Sequence, residues 1–167
     1  MATKSKDFAQ IDSLVLSDYI LYMGGSMSHL KLQKLLFYVQ AYHLAYFEKP
    51  LIEDDFQAWA HGPVSRKVYN SLKDNTRLYD QVSYVRGPKE EHVKKIVRKT
   101  LTDDQKNLVD EVVEMFSDLT GLQLENLTHN EKPWIKARKG VAAGERSDNV
   151  ISKDSIRKFY RKELYGS

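Results

Sequence analysis

SHLKLQKLLFYVQAYHLAYF, Ser28 to Phe47, carries most of what the chain says about its architecture. Ser28 suits a helix N-cap, since its hydroxyl can accept from an unpaired backbone N–H of the first turn. At about 100° per residue, Leu32, Leu35, Leu36, Val39, His43, Tyr46 and Phe47 fall in one broad arc. Leu30, Phe37 and Leu44 fill the adjoining arc, with Gln33 and Gln40 at its border. What remains is a narrow strip of Lys31, Lys34, Tyr38, Ala41 and Ala45. A helix apolar around most of its circumference is normally buried, so this segment is predicted as the centre of a mainly helical protein.

Before it, Ile11 to Met23 reads as a helix with Leu14, Val15, Tyr19 and Tyr22 on its inner side, stopped by Gly24 and Gly25. After it, Pro50 and the acidic run Glu53–Asp55 mark a break and a solvated turn. Phe56–Ala60 alternates weakly, as a short strand does. His61, Gly62 and Pro63 read as a helix start, because proline at the first helical position loses no useful hydrogen bond. Val64, Val68, Tyr69 and Leu72 then form the buried face, and Asp74 and Asn75 end the helix. Val82–Val85, closed by Gly87 and Pro88, is a second strand candidate, which could pair with Phe56–Ala60.

The remainder is helical. Glu90–Leu101 turns Val93, Ile96 and Val97 inward, and Thr102 to Gln105 spells a capping box for a helix striped by Leu108, Val112, Phe116 and Leu119. Thr120 and Gly121 restart the chain into Leu122–Thr128, and Pro133 and Trp134 open one more turn. Gly140–Asn149 is a polar loop, and Ser152 caps a last helix facing Ile156, Phe159, Tyr160 and Leu164 inward. The expectation is a mainly α fold, one compact domain over residues 1–167 with its core at about 11–160, a minor two-strand β element and short polar ends outside.

With 167 residues, 41% hydrophobic and 29% charged, the composition is that of an ordinary globular chain. The absence of cysteine excludes thiol nucleophiles, disulfides and cysteine-based metal sites. Apolar runs such as Leu35–Val39 fall far short of the roughly 18 residues a membrane span needs. Met1–Asp7 is polar with no apolar segment behind it, unlike a secretory signal, so the cytoplasm is the expected compartment.

The net charge of +3 is small, but its distribution is uneven. Residues 101–131 carry one basic and eight acidic side chains, and residues 132–162 carry ten basic and three acidic. This predicts either an acidic helix packed beside a basic C-terminal segment or a basic patch for an acidic partner.

No local pattern supports catalysis, a metal or a cofactor. No serine lies in a nucleophile elbow. No two of the five histidines stand at helical ligand spacing; Glu90, Glu91 and His92 read as a solvated helix start, and His43 as a hydrogen-bonded core residue. Gly24 and Gly25 have no phosphate-loop pattern around them. DNA binding is the alternative. A winged-helix order would place Arg66, Lys67 and Lys73 on the third helix, and Lys136, Arg138, Lys139, Lys153, Arg157, Lys158, Arg161 and Lys162 could touch phosphates.

Three motifs, Lys31–Tyr38 (KLQKLLFY), Ala58–Val64 (AWAHGPV), and Leu127–His129 (LTH) with Pro133 and Trp134, resemble the Panacea domain in order and spacing from about Ile11 to Phe159. Tyr69 stands where that family tends to have an aromatic residue. The family includes phage-associated GepA-like proteins and SocA-like antitoxins. The resemblance implies a protein-interaction module with no agreed catalytic residue or cofactor. Such proteins neutralise toxins encoded beside them, and at least one branch delivers its toxin to an AAA+ protease. Interference with a host factor is an alternative for phage-encoded members.

Within these motifs, Lys31, Gln33, Lys34, Tyr38, His61 and Trp134 are the expected partner contacts, with Ala41 and Ala45 admitting a close backbone. Leu32, Leu35, Trp59, Gly62, Pro63, Val64, Tyr69, Thr128 and His129 are expected to hold the fold. The charged stretch Lys132–Ser155 is the expected variable, partner-facing element.

Overall fold

A computed structural model describes residues 8–74, 76–83 and 90–166. The fold is mainly helical with minor β elements. At its centre is α2 (His29–Phe47), where the Ser28 hydroxyl accepts from Lys31 N at 3.0 Å. Four helices pack around α2: α1 (Ser13–Gly24), α5 (Asp103–Met115), α6 (Gly121–His129) and α8 (Lys153–Tyr165). Further out, α4 (Glu90–Thr100) lies against α1, and the short α3 (Arg66–Leu72) and α7 (Lys132–Ala137) link the β elements to the bundle.

Helix starts follow local chemistry. Thr102 and Thr120 each form a complete capping box, with Gln105 and Gln123 respectively, and Ser152 caps α8. For α1 the cap is Asp12, whose carboxylate accepts from Leu14 N at 2.8 Å. The buried face of α1 is Leu16, Tyr19 and Ile20, whereas Leu14, Val15 and Tyr22 lie at its half-buried border, which corrects the expected inner side.

The β elements differ from the expected pairing. β2 (Phe56–Trp59) pairs antiparallel with β3 (Gly62–Ser65) across the two-residue loop Ala60–His61. Gly62–Pro63 is therefore strand, not helix start. Ser65 is the cap of α3, accepting from Val68 N at 3.2 Å, and Pro63 is tolerated because β3 is an edge strand. The other neighbour of β2 is β5 (Val150–Ile151), which lies between the expected loop Gly140–Asn149 and the Ser152 cap. The second strand candidate is represented by β4 (Gln81–Val82), and it pairs with β1 (Met27–Ser28) instead of Phe56–Ala60. Tyr84, Val85, Gly87 and Pro88 lie outside the described residues, as do Asn75, Met1–Asp7, Ser167 and the side chains of Glu90 and Glu91. With β4 on β1, the winged-helix order is absent among the described residues.

The expected pairing of an acidic helix with the basic C-terminal segment is also corrected. α8 packs on α2, and its cations bond Glu48, Asp55 and Asp154 rather than α5. Arg161 donates to the Ala45 carbonyl at 2.6 Å, and Arg138 is buried.

Polar side chains of α2 tie down the backbone around it. Gln40 Oε1 accepts from Leu51 N at 2.8 Å and Ile52 N at 3.1 Å, while its Nε2 donates to Ile52 O at 3.0 Å. Gln33 pairs with Ser65 as a neighbouring strand would, accepting from its N–H at 2.9 Å and donating to its carbonyl at 3.3 Å. His43 bonds the Lys49 carbonyl through Nδ1, and its Nε2 accepts from Gln105 at 3.1 Å. Each group is buried and satisfied, which is what keeps its desolvation from being destabilising.

Burial holds His29 and His43 neutral, pulling both pKa values down to about 4 from an ordinary 6.5. The unfolded chain then binds more protons between these values, so stability present above about pH 6.5 is lost as pH falls towards 4. His129, also lowered by burial, adds to them, and Glu131, raised by burial, acts in the opposite sense, one group against three. Urea midpoints should therefore fall from pH 7 to pH 4.5. His43→Asn should be less stable throughout yet show the shallower slope; an equal slope would remove His43 from the account.

Candidate interaction surface

The sequence motifs converge beneath the β2–β3 loop. Gly62, at φ 99°, lets the Lys34 side chain pass so closely that a Cβ there would lie 2.6 Å from Lys34 Cε and 3.0 Å from Thr128 Oγ1. Lys34 Nζ donates to the Pro63 carbonyl at 2.8 Å. Burial pushes its pKa down to about 7, with Glu125 pulling the other way. Glu125 in turn accepts from His61 Nδ1 at 3.2 Å, and Thr128 Oγ1 donates to the Glu125 carbonyl at 2.7 Å.

Beside this cluster, His129 stacks on Trp134 with centroids 4.0 Å apart, and Trp134 Nε1 donates to the Trp59 carbonyl at 2.9 Å. His129 Nε2 is buried with no partner among the described residues. Arg138, over the Trp134 ring, donates to the carbonyls of Ala58 at 2.8 Å, Ala142 at 3.1 Å and Glu145 at 2.7 Å. One guanidinium thus fastens the 140–149 loop to β2, using the fork geometry that suits several acceptors at once.

Of the expected contact residues, Gln33, Lys34 and Tyr38 are buried. The strip left over on the helical wheel is not a solvent face, which corrects their expected accessibility. Lys34 and Gln33 face β3, Ala41 and Ala45 are core, and Tyr38 reaches Glu131, whose Oε1 accepts from both Tyr38 and Tyr160 at 2.6 Å. Lys31 is half-buried and donates to the Ser117 carbonyl at 2.7 Å. His61 keeps 46% of its side chain exposed, and Trp134 is half-buried with its N–H engaged. Leu32, Leu35 and Val64 are core, and Tyr69 stacks on His29 and meets Trp59 edge-on.

Lys31 and His61 flank a ridge formed by half-buried Leu78 and exposed Tyr79. Tyr79 is 65% exposed, and its ring lies 6.1 Å from that of His61. Backbone bonds from His29 N to Asp80 O and Leu30 N to Leu78 O fix the ridge to the start of α2, and Asp80 closes a turn on Arg77 N at 2.7 Å. That Asp three residues after Arg77 was the available sequence signal for a structured turn.

A cleft lies on either side of the ridge. The larger, about 670 Å³, is lined by Trp59, His61, Arg66, Tyr69, Leu78 and the loop 144–148. The smaller, about 560 Å³, lies between β1, Lys31, Tyr79, the α5–α6 turn and the first turn of α6, where Leu122 is 56% exposed.

The sequence model of one family, described as antitoxin SocA-like, Panacea domain, matches residues 32–135. No curated protein and no solved structure matches the chain.

Proposed function

The chain belongs to the antitoxin SocA-like Panacea family, and from that premise we propose that it is an interaction module, not an enzyme, that binds and neutralises a protein toxin encoded nearby. It acts in the cytoplasm, by masking the toxin's working surface, and passes the bound toxin to an AAA+ protease as the adaptor branch does. The observation that carries this reading is the exposed ridge. Tyr79 stands between two concave surfaces with Leu122 across the smaller one, and large amphipathic residues over concave surroundings are typical binding anchors. Lys31 and His61 border it as polar rim.

The competing DNA reading has less support. Arg138, Lys153, Arg157 and Arg161, four of its basic candidates, are engaged within the chain.

Co-purification with the product of the adjoining gene at about 300 mM salt tests the proposal, since phosphate-driven DNA binding weakens steeply in that range. The expected result is a stoichiometric complex with a protein whose expression alone stops growth. Tyr79→Ala and Leu122→Asp should each weaken that complex about 30-fold, the scale of a 2 kcal/mol hot spot, with unchanged melting. A harmless neighbour that does not bind would defeat the proposal. Protection that persists in cells without the protease would leave masking and remove delivery.

A further inference from the structure

The larger cleft carries chemistry that a protein interface does not require. Arg66 spends Nε on Gln57 Oε1 at 3.3 Å and lies over the Trp59 ring at 5.2 Å, leaving both terminal nitrogens without a hydrogen-bond partner among the described residues. Arg146, on the facing loop, is exposed and has no ion pair among the described residues. Two guanidiniums with free terminal nitrogens thus face one concavity, while Arg138, Arg157 and Arg161 are already engaged. Ser147 and Asp148 stand beside them, and the aromatic surfaces of Trp59 and Tyr69 also line the space.

We propose that this cleft binds a free nucleotide, with the base against Trp59 and Tyr69, the phosphates between Arg66 and Arg146, and the sugar hydroxyls towards Asp148. Each part has a physical reason. Planar guanidiniums match phosphate oxygens in pairs. The exposed parts of the Trp59 and Tyr69 rings give a base apolar contact, one face of Trp59 lying under Arg66 and one face of Tyr69 on His29. A carboxylate accepts from ribose hydroxyls, donors that a run of partner carboxylates does not offer, so Asp148 has a role with a nucleotide that it lacks with an acidic peptide. The volume, about 670 Å³, lies within the range of small-molecule sites.

The cleft is also held ready. Arg138 bonds the carbonyls of Ala142 and Glu145, and Ala58 N donates to the Asn149 carbonyl at 2.8 Å, so both ends of the loop bearing Arg146 and Asp148 are tied to the sheet. A wall already in place loses less freedom when a ligand arrives. This site goes beyond toxin binding and does not depend on it.

Calorimetric titration of the whole chain with ATP and with GTP, without any protein partner, tests the proposal. The expected result is saturable binding of one nucleotide per chain, with a Kd below about 1 mM. Arg66→Ala and Arg146→Ala should each weaken it about tenfold or more, the scale of losing a charge-assisted bond. Lys139→Ala, on the same basic half but away from the cleft, should leave it unchanged. Because Arg66 and Arg146 are exposed, melting should stay constant in both variants. Absence of saturation at about 1 mM overturns the proposal, as does binding that ignores both arginines. Equal affinity for pyrophosphate alone would reduce the site to an anion cradle and remove the nucleotide. Binding of an oligothymidylate with none of the mononucleotides would replace it with a strand.

Discussion

Gly62→Ala is expected to destabilise the protein by about 3–5 kcal/mol, from left-handed backbone strain together with overpacking. The backbone at Gly62 has φ 99°, and the added methyl would stand 2.6 Å from Lys34 Cε and 3.0 Å from Thr128 Oγ1. Neither neighbour can yield cheaply. Lys34 is fully buried and its ammonium is held on the Pro63 carbonyl, so swinging it aside strands a buried polar group. Thr128 is held by its bond to the Glu125 carbonyl. Gly144→Ala is the control, because Gly144 has φ 81° but nothing within 4 Å of the added carbon. It should cost about 1 kcal/mol, the backbone term alone. Urea unfolding of the two variants measures the difference. Equal midpoints would mean that the Lys34 passage contributes nothing and that only the backbone angle matters.

Gln40→Leu should cost a similar amount by a different route. Leucine approximates the shape of glutamine, so the side-chain volume is kept and the loss falls on hydrogen bonds. Three backbone groups would lose their partners together: Leu51 N–H, Ile52 N–H and Ile52 C=O. Both residues are completely buried, so water cannot replace the carboxamide. At about 1–3 kcal/mol for each unsatisfied group, the total is roughly 3–9 kcal/mol, a large share of a domain's net stability. Amide exchange gives a second readout, because the Leu51 and Ile52 amides should lose protection well before those of the α2 interior. Unchanged exchange at both amides would show that the segment is held by its apolar side chains instead.

Both expectations concern polar or glycine positions whose importance is invisible along the chain. Gln40 and Gln33 stood only at the border of an apolar arc, and Lys34 stood in what looked like the accessible strip. Helical periodicity reports the direction of a side chain from its own axis, not what fills that direction. Here β3 and the segment after α2 fill it with backbone, and backbone groups need polar partners when water is excluded. A buried lysine among leucines therefore marks a neighbouring main chain, not a solvent face.

Strand partners were hidden for a related reason. Phe56–Trp59 was legible as a strand because alternation is local, but β5 has only two residues and no pattern of its own. Met27–Ser28 follows a glycine pair and ends on the cap of α2, and pairs with Gln81–Val82 through main-chain bonds to which the side chains contribute no signature. The ridge at Tyr79 depends on that pairing, so it could not be found before the pairing was known.

The sequence was sufficient for whatever depends on neighbours within a turn or two. Ser28, Thr102, Thr120 and Ser152 start their helices because a hydroxyl can reach an N–H three residues on. The unbroken apolar arcs of α2 made it the centre of a mainly helical fold, and the motif order from Lys31 to Trp134 placed the chain in its family. Tertiary structure was needed for whatever depends on which surfaces meet. It put Lys34 inside and Tyr79 outside, spent Arg138 and left the terminal nitrogens of Arg66 and Arg146 free for a ligand. The physical reason is that capping and periodicity are short-range properties of one segment, whereas the burial and pairing of a polar group are properties of two.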